Sequence, residues 1–331
     1  MKVLIPGGSG QVGTVLARAF HADGHEVVVL SRHPEPAPWN VIPWDARSSG
    51  GWASEVDGPD VVINLTGRSV NCRYNAGNRK AILDSRIDST RVLGQVIAGS
   101  ARPPRVWLQA STATIYAHRY DGANDERSGI SGGQEPNAPE TWRFSIEVAR
   151  EWERALDEAV VPRTRKVKLR SAMIMSPDWG GVFDVLLSLV RHGLGGRAGN
   201  GRQYVSWIHC EDFVQVVYWL IEHEGVEGAV NVAAPNPLPN SEFMRSLRDA
   251  WGIPFGLPAT EWMLEIGTRI LRSETELVLK SRRVVPGKLL DEGFSFKFPD
   301  WTTAARNLCG QWRQMDKGNR SREQQHHRAG S

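Results

Sequence analysis

The segment Val3-Leu4-Ile5-Pro6-Gly7-Gly8-Ser9-Gly10-Gln11-Val12-Gly13 constrains the fold more than any other stretch of the chain. Val3 to Ile5 is a short apolar run of the kind a buried parallel strand shows. Val12, Val15, Leu16, Ala19 and Phe20 then fall on one face of a helix. Asp23-Gly24-His25 ends that helix, and Glu26 to Leu30 reads as a second strand. Strand, helix and strand make a βαβ unit, whose crossover is expected to be right-handed. Between them, Gly8, Gly10 and Gly13 fit G-x-G-x-x-G, and Gly7, Gly10 and Gly13 fit G-x-x-G-x-x-G.

A glycine pattern alone is a weak signal; one that follows a strand and opens a helix is the context of a dinucleotide site. Each glycine has its own reason. Gly7 lets the chain turn tightly, Gly10 lets a pyrophosphate approach the backbone, and Gly13 lets the helix pack close to the strand. The helix start then offers unpaired N–H groups and the positive end of its dipole to phosphates, around Gly8, Ser9, Gln11 and Val12. The residue after the second strand separates the two pyridine dinucleotides. An Asp or Glu there would accept hydrogen bonds from a ribose 2′-OH. This chain has Ser31-Arg32-His33. A guanidinium pairs with a phosphate and has no acceptor for a hydroxyl proton, so the expected cofactor is NADP(H), unless Arg32 is only a solvated loop charge.

Further along, strands are expected near Val41-Ile42, Val61 to Leu65, Val106 to Gln109, Val167 to Leu169 and Val230 to Val232. Helices are expected over 78–98, 140–159, 212–223, from a cap at Asn240 or Ser241 to Trp251, and near 261–271, 286–292 and 302–312. The segment from Tyr120 to Pro139 reads as a long polar loop. The alternation predicts an α/β protein: a Rossmann-like, doubly wound parallel sheet with a smaller, mainly helical C-terminal substrate region. The expected divisions are a nucleotide-binding domain over 1–175, to whose sheet a late strand near 229–234 returns, a substrate-pocket region over 176–314, and a disordered tail over 315–331.

Composition excludes several classes. Forty Lys+Arg against 37 Asp+Glu leave a net charge of +3, and four cations against two acids after residue 314 account for +2 of it. The nearly neutral body argues against a nucleic-acid binder. Three scattered cysteines (Cys72, Cys210, Cys309) make neither a disulfide framework nor a zinc site. No apolar run is long enough for a signal peptide or a membrane span, so a cytoplasmic protein is expected. Thirteen tryptophans attach to no functional motif.

Other landmarks come in an ordered set: Val62-Ile63-Asn64-Leu65-Thr66-Gly67, Ser85-Arg86-Ile87-Asp88, Trp152-Glu153, Gly195-Gly196, Gly199-Asn200-Gly201-Arg202-Gln203, Trp207-Ile208-His209 with Asp212, Ala234-Pro235-Asn236-Pro237, Val285-Pro286 and Gly293-Phe294. Over about residues 1–310 the chain resembles the extended short-chain dehydrogenase/reductase superfamily. It looks most like the atypical branch of "epimerase family" proteins with a C-terminal domain of their own. The resemblance implies an NADP-type cofactor across the C-terminal ends of the strands, contacted by Ser31, Arg32, Leu65, Thr66, Gly67, Arg86 and Ser111. The alternative for Arg86 is half of a surface ion pair, and Asp45 could lie near the adenine or simply be solvated.

The superfamily's catalytic pair is Tyr-x-x-x-Lys on the helix after strand five, with a Ser or Thr at the strand end. None of Tyr74, Tyr116, Tyr120, Tyr204 and Tyr218 has Lys four residues on. The expected helix reads Arg143-Phe144-Ser145-Ile146-Glu147-Val148-Ala149-Arg150, with no phenol. Thr112 stands at the usual hydroxyl position, and Tyr116 offers either an alternative phenol or a packed ring. His118 and Asp121 are further loop candidates. His209 and Asp212 read either as a catalytic pair or, preferably, as a helix start. Gly193 to Gln203 suggests a tight loop beside the pocket, with Gln203 and Trp207 as candidate lining. Two functions remain open. One is an NADP(H)-dependent oxidoreductase or epimerase on an unknown small carbonyl or hydroxyl compound. The other is a non-catalytic NADP(H)-binding sensor. A homodimer through helices 78–98 and 140–159 is possible by fold analogy.

Overall fold

Apolar side chains alternate along the strands and so sort themselves onto two faces of one sheet. The computed structural model describes residues 1–135, 138–259 and 280–329, with side chains to Asn319. Seven strands pair in parallel: β1 (Lys2–Pro6), β2 (Glu26–Ser31), β3 (Asn40–Pro43), β4 (Val61–Asn64), β5 (Val106–Thr112), β6 (Arg165–Ser171) and β10 (Gly228–Val232). Their spatial order is β10-β6-β5-β4-β1-β2-β3. The weak strand near Val41 is real and forms one edge. The late strand returns to the sheet, as expected, beside β6. Four short strands, β7 (Met173–Met175), β8 (Tyr204–Val205), β9 (Trp207–His209) and β11 (Leu238–Pro239), pair outside the main sheet and have no counterpart in the sequence reading.

Leu4, Val28, Val62 and Trp107 face one side, where Val92, Leu93 and Ile97 of α2 (Ala76–Gly99) and Leu156 of α3 (Glu140–Asp157) cover them. Val3, Ile5, Val29, Ile63 and Leu108 face the other, under Leu16 and Phe20 of α1 (Gln11–Ala22) and Val216 and Leu220 of α5 (Cys210–Glu222). The same apolar cluster continues into α4 (Val182–Arg191), α6 (Asn240–Trp251) and α8 (Trp301–Ala329), with the short α7 (Gly287–Asp291) beside β10. Among the described residues, no helix is long and apolar enough to cross a membrane.

Tryptophan density has a structural explanation here. Trp301 stacks on Phe243 at 4.1 Å, meets Trp207 edge-on at 5.0 Å, and donates its indole N–H to the Phe243 carbonyl at 2.9 Å. Trp251 and Trp312 meet at 5.6 Å, with the Arg191 and Arg313 guanidiniums over their faces. Aromatic packing thus fastens α4, α6 and α8 to one another and to β9.

Two expectations need correction, and one helix had no counterpart in the sequence reading. The helix begun at Trp301 runs through Ala329, where a disordered tail was expected from residue 315. α6 is capped by Pro239, not Asn240 or Ser241, because the Asn240 side chain is engaged by the Ala198 N–H at 2.8 Å. α4 was not anticipated at all, although its amphipathic face buries Phe183, Leu187 and Val190. The helix expected near 261–271 lies outside the described residues.

One four-residue segment holds the end of the sheet opposite the glycine turn. In a parallel sheet, the helices' C-terminal carbonyls gather where strands begin, and they attract cations. Arg163 donates to the Ser100 and Ala101 carbonyls after α2, at 2.8 and 3.2 Å. Lys166 donates to the Leu156, Asp157 and Ala159 carbonyls at the end of α3, at 3.1, 3.2 and 2.9 Å. Arg165 donates to the Leu220 and Val226 carbonyls at and beyond the end of α5, at 2.6 and 2.5 Å. Thr164 ties to the Pro104 carbonyl at 2.7 Å. A basic cavity of about 970 Å³ lies here, and three of its lining cations, Arg163, Arg165 and Lys166, are occupied with these carbonyls.

His209 and Asp212 are structural. His209 caps α5, its Nδ1 accepting from the Glu211 N–H at 3.1 Å. Its Nε2 meets Asn307 Oδ1 at 3.1 Å, and its ring stacks on Phe298 at 4.0 Å. The Asp212 carboxylate accepts from the Lys297 and Phe298 N–H groups at 2.7 and 2.9 Å. Burial, only partly offset by nearby Glu211, pushes the His209 pKa down to about 4. The unfolded chain, with a His pKa near 6.5, therefore binds more protons than the folded one between about pH 6.5 and 4. This contribution to stability is complete above pH 6.5 and falls away toward pH 4, by on the order of 3 kcal/mol. Urea unfolding across that window is expected to show the slope, and His209→Asn, which keeps a capping side chain, to lose this part of it.

Candidate functional site

The strand order reverses beside β1, so a crevice opens outside the C-terminal ends of β1 and β4. The glycine turn sits at its mouth. Gly7 adopts φ +74°, and its N–H donates to the Leu30 carbonyl at 2.9 Å. A Cβ on Gly7 would lie 2.8 Å from the Thr66 backbone, so any side chain there would push β1 and β4 apart. Gly8 is packed against the Ile5 carbonyl and the Val29 side chain. Gly13 packs onto the backbone of Gly8 within the turn, not onto the strand as expected. At Gly10, by contrast, an added Cβ would meet nothing nearer than the Gly7 carbonyl at 3.6 Å, so the space in front of it is open. Gly10 starts α1 without a side-chain cap, so the donors of Gln11, Val12 and Gly13 face the crevice end of the helix.

Around this turn, Ser9 and Ser31 share a hydroxyl–hydroxyl hydrogen bond of 2.9 Å, and the Ser31 hydroxyl also takes the His33 N–H at 3.2 Å. Ser31 is buried and shapes the loop that carries Arg32. Arg32 is exposed and makes no hydrogen bond or ion pair among the described residues. Leu65 follows β4 and donates its N–H to the Pro6 carbonyl at 2.9 Å. Thr66 is buried, and its hydroxyl has no partner among the described residues. Asp45 is engaged locally: Ser48 and the Arg47 N–H hold its carboxyl down to about 2.

Gly67 leads from the turn into a second space. Its Cβ position lies 3.0 Å from the Arg86 guanidinium carbon, so the arginine folds flat over this glycine. Arg86 donates to the Ile82 and Arg68 carbonyls at 2.9 and 3.1 Å and lies over the Trp152 ring at 4.9 Å. No carboxylate among the described residues pairs with it, and burial pulls the guanidinium down to about 10. It is therefore not the surface ion pair that the sequence left open.

Arg86 lines a cavity of about 230 Å³. Thr112 and Thr114 reach it from the end of β5. Phe144, Ser145, Val148 and Trp152 reach it from α3, Tyr74 and Ile82 from the start of α2, and Arg282 from the C-terminal segment. Thr112 Oγ1 accepts from the Thr114 N–H at 3.1 Å, which leaves its own proton to donate into the cavity. Phe144 and Val148, four residues apart on α3, present an aromatic and an aliphatic side chain to this space. Ser111, also at this wall, donates to Glu153 at 2.7 Å.

The structure does not bring Tyr116 to the cavity. Its ring is buried, and its hydroxyl donates to Asn231 at 2.9 Å while accepting from Arg170 at 3.0 Å. Burial raises its pKa. Arg170 also grips Glu153 with two bonds of 2.8 Å. Burial pulls the Glu153 carboxyl up, but the bonds and charge of Arg170 outweigh it and hold the acid ionised below its ordinary range. Trp152-Glu153 was visible as a sequence landmark, yet nothing local marked Arg170, seventeen positions from Glu153, as the partner of that carboxylate. Gln203 and Trp207 are buried elsewhere, Gln203 bonding the Ala198 carbonyl at 3.0 Å and Trp207 under Trp301. His118 accepts the Ser281 N–H at 2.8 Å, and Asp121 pairs with Arg119 at 2.9 Å. Tyr74, Ser145 and Arg282 carried no sequence signal.

Removing one partner of a buried ion pair leaves the other uncompensated. Arg170→Met is therefore expected to cost roughly 3–5 kcal/mol of stability, read by chemical denaturation. It should also strip the Tyr116 hydroxyl of one of its two partners, seen as a changed tyrosine signal.

Comparison with known proteins matches this architecture. A family model described as the NAD dependent epimerase/dehydratase family matches residues 3–139, and a domain of unknown function, DUF1731, matches residues 259–308. The chain is 31% identical over 314 residues to the epimerase family protein SDR39U1 of Bos taurus, covering 93% of this chain and 99% of that protein. It is 29% identical over 310 residues to the epimerase family protein YfhF of Bacillus subtilis, covering 93% and 98%. The crystal structure of human SDR39U1 (isoform 2) with NADPH superposes with a TM-score of 0.81 at 28% identity, over 94% of this chain and 99% of that one. The chain belongs to the epimerase family of the extended short-chain dehydrogenase/reductase superfamily, with a DUF1731 C-terminal domain.

Proposed function

We propose that this protein is an NADP(H)-dependent oxidoreductase or epimerase acting on a small carbonyl or hydroxyl compound without the superfamily's Tyr-x-x-x-Lys pair. The observation that carries the cofactor assignment is the glycine turn itself. The space before Gly10 is open, the α1 N-terminus is uncapped, and the buried Thr66 hydroxyl lacks a partner, all at one crevice. These groups fit a dinucleotide pyrophosphate. Arg32, exposed and unpaired beside the Ser9–Ser31 hydrogen bond, fits the 2′-phosphate of NADP(H), and the human relative was crystallised with NADPH. When bound, this cofactor supplies the hydride chemistry.

The chain's own groups define what surrounds that chemistry. Arg86 lies between the crevice and the cavity, a desolvated positive charge that stabilises anionic groups on either side. Thr112 donates its proton to a substrate oxygen, because the Thr114 N–H already occupies an acceptor position on its hydroxyl. The rings of Phe144 and Trp152 exclude water and hold a compact substrate.

One observation favours the second reading, a non-catalytic NADP(H)-binding sensor: the cavity face of α3 carries Phe144 and Val148, neither of which transfers a proton. Single-turnover oxidation of bound NADPH by any of a panel of aldehydes, ketones and sugar nucleotides would exclude it; silence with tight binding would favour it. For the cofactor, Arg32→Ala is expected to weaken NADPH binding by roughly 10- to 100-fold and leave NADH binding nearly unchanged. Calorimetric titration of both dinucleotides checks this, and an unaltered NADPH affinity would refute the assigned role of Arg32.

A further inference from the structure

We propose that Arg197, Arg245 and Arg248 form a second anion site, separate from the glycine turn, that takes a phosphate group. The inference stands apart from the oxidoreductase reading above.

The three guanidiniums line one cavity of about 410 Å³, together with Ser241 and Glu242, over a floor of Gly196 and Gly256. It shares no lining residue with the cavity of Arg86 and Thr112. Glu242 is the one acid among its described lining residues, so three arginines against one glutamate leave two positive charges in excess. None of the three arginines pairs with a carboxylate among the described residues.

Local structure gathers these side chains. Ser241, Arg245 and Arg248 fall at i, i+4 and i+7 of α6, which is one stripe of a helix. Long helical side chains lean toward the helix N-terminus, so both arginines reach back toward the start of α6. Arg197 meets them there from the neighbouring loop. Gly201, at φ +72°, lets that loop approach: a Cβ on it would lie 3.0 Å from both the Arg197 and the Ser241 Cβ. The loop is tied on two sides, because the Arg197 carbonyl accepts the Ala259 N–H at 2.9 Å and the Ala198 N–H donates to the Asn240 side chain at 2.8 Å. The floor is bare backbone. A Cβ on Gly196 would lie 2.4 Å from the Leu257 carbonyl oxygen, and one on Gly256 would lie 2.7 Å from the Gly195 carbonyl carbon, so no larger residue fits either position.

This arrangement is costly without an anion. Like charges gathered in one pocket repel, and the start of a helix is its positive end. Arg248 donates from Nη1 to the Gly195 carbonyl at 2.8 Å, while its Nε N–H is buried with no partner among the described residues. The Asn240 and Ser241 N–H groups already donate to the Gln203 and Gly201 carbonyls at 2.8 and 3.0 Å, so the side chains, not the helix end, make the site. Guanidinium forks pair with the oxygens of a phosphate, and three forks around one space need more acceptor oxygens than a carboxylate offers. Phe255 and Leu257 are exposed beside the floor. The same phosphate chemistry can therefore come from a free phosphorylated compound or from a lipid headgroup, and the test separates the two.

The test uses the full chain. Pyrophosphate is titrated in the calorimeter at an ionic strength held constant with sodium chloride. Arg197→Ala and Arg245→Ala, both at exposed side chains, are each expected to weaken its binding roughly 10- to 100-fold. Pyrophosphate is expected to raise the melting temperature of the unaltered protein but not of the double variant, whose melt in pyrophosphate-free buffer is no lower than that of the unaltered protein. The second arm is co-sedimentation with phosphatidylcholine vesicles, with and without phosphatidic acid. Binding of either probe that both substitutions weaken upholds the site, and the probe that shows it identifies the source. Binding of neither probe, or binding indifferent to both substitutions, overturns the proposal; pyrophosphate held that way belongs to another cluster, such as the glycine turn. A double variant that melts lower without pyrophosphate marks the arginines as structural, and overturns it too.

Discussion

The turn at Gly7 brings two backbones closer than any side chain allows. The Gly7 and Thr66 main chains are so near that a single methyl group would intrude between them. That contact fixes the ends of β1 and β4 at the point where the sheet changes direction, and the crevice is what remains above it. Gly13 folded onto Gly8 then sets where α1 begins, so the helix aims its uncapped donors across the open side of Gly10. Two close approaches at this turn therefore determine both the shape of the anion cradle and its direction.

Beyond the turn, the wall built by the end of β5 and by α3 divides into two polar layers. The inner layer is closed: Glu153, Arg170, Ser111, Tyr116 and Asn231 satisfy one another. The outer layer is not. Thr112 has a proton to give, and Arg86 meets carbonyls and an indole with no carboxylate partner among the described residues. Buried polar groups are costly unless paired, so a closed network beneath an open one marks which layer is scaffold and which is meant for a ligand. Glu153 is the hinge of this distinction. It neutralises Arg170 and takes the Ser111 proton, leaving Thr112 as the hydroxyl still available at the strand end.

What the sequence made legible were features whose cause lies within a few residues. The glycine turn, the βαβ unit and the strand around Val61 to Asn64 are local patterns, and the structure keeps them almost residue for residue. Arg86 could be singled out, but its surroundings could not, because Gly67 and Trp152 reach it from other elements. The same limit explains Tyr116, where only Arg170 and Asn231, brought in by β6 and β10, reveal a hydroxyl already engaged at both ends. Asn240 read as a cap by type and position, yet the Ala198 N–H competes for its side chain. α4 escaped because the glycines on both sides of it dominated the reading of that region. The short strands β7, β8, β9 and β11 span two or three residues each and exist through their partners, not through periodicity.

The segment from Arg163 to Lys166 has a consequence for how the molecule comes apart. Its three cations serve the final carbonyls of α2 and α3 on one side of the sheet and of α5 on the other. Helix ends are usually where fraying begins, each independently of the rest. Here three of them share one short anchor at the start of a central strand, so slackening at one helix is felt at the other two through the same few side chains. The two layers are thereby coupled at the far rim of the sheet, and amide exchange in α2, α3 and α5 should report a single opening event instead of three.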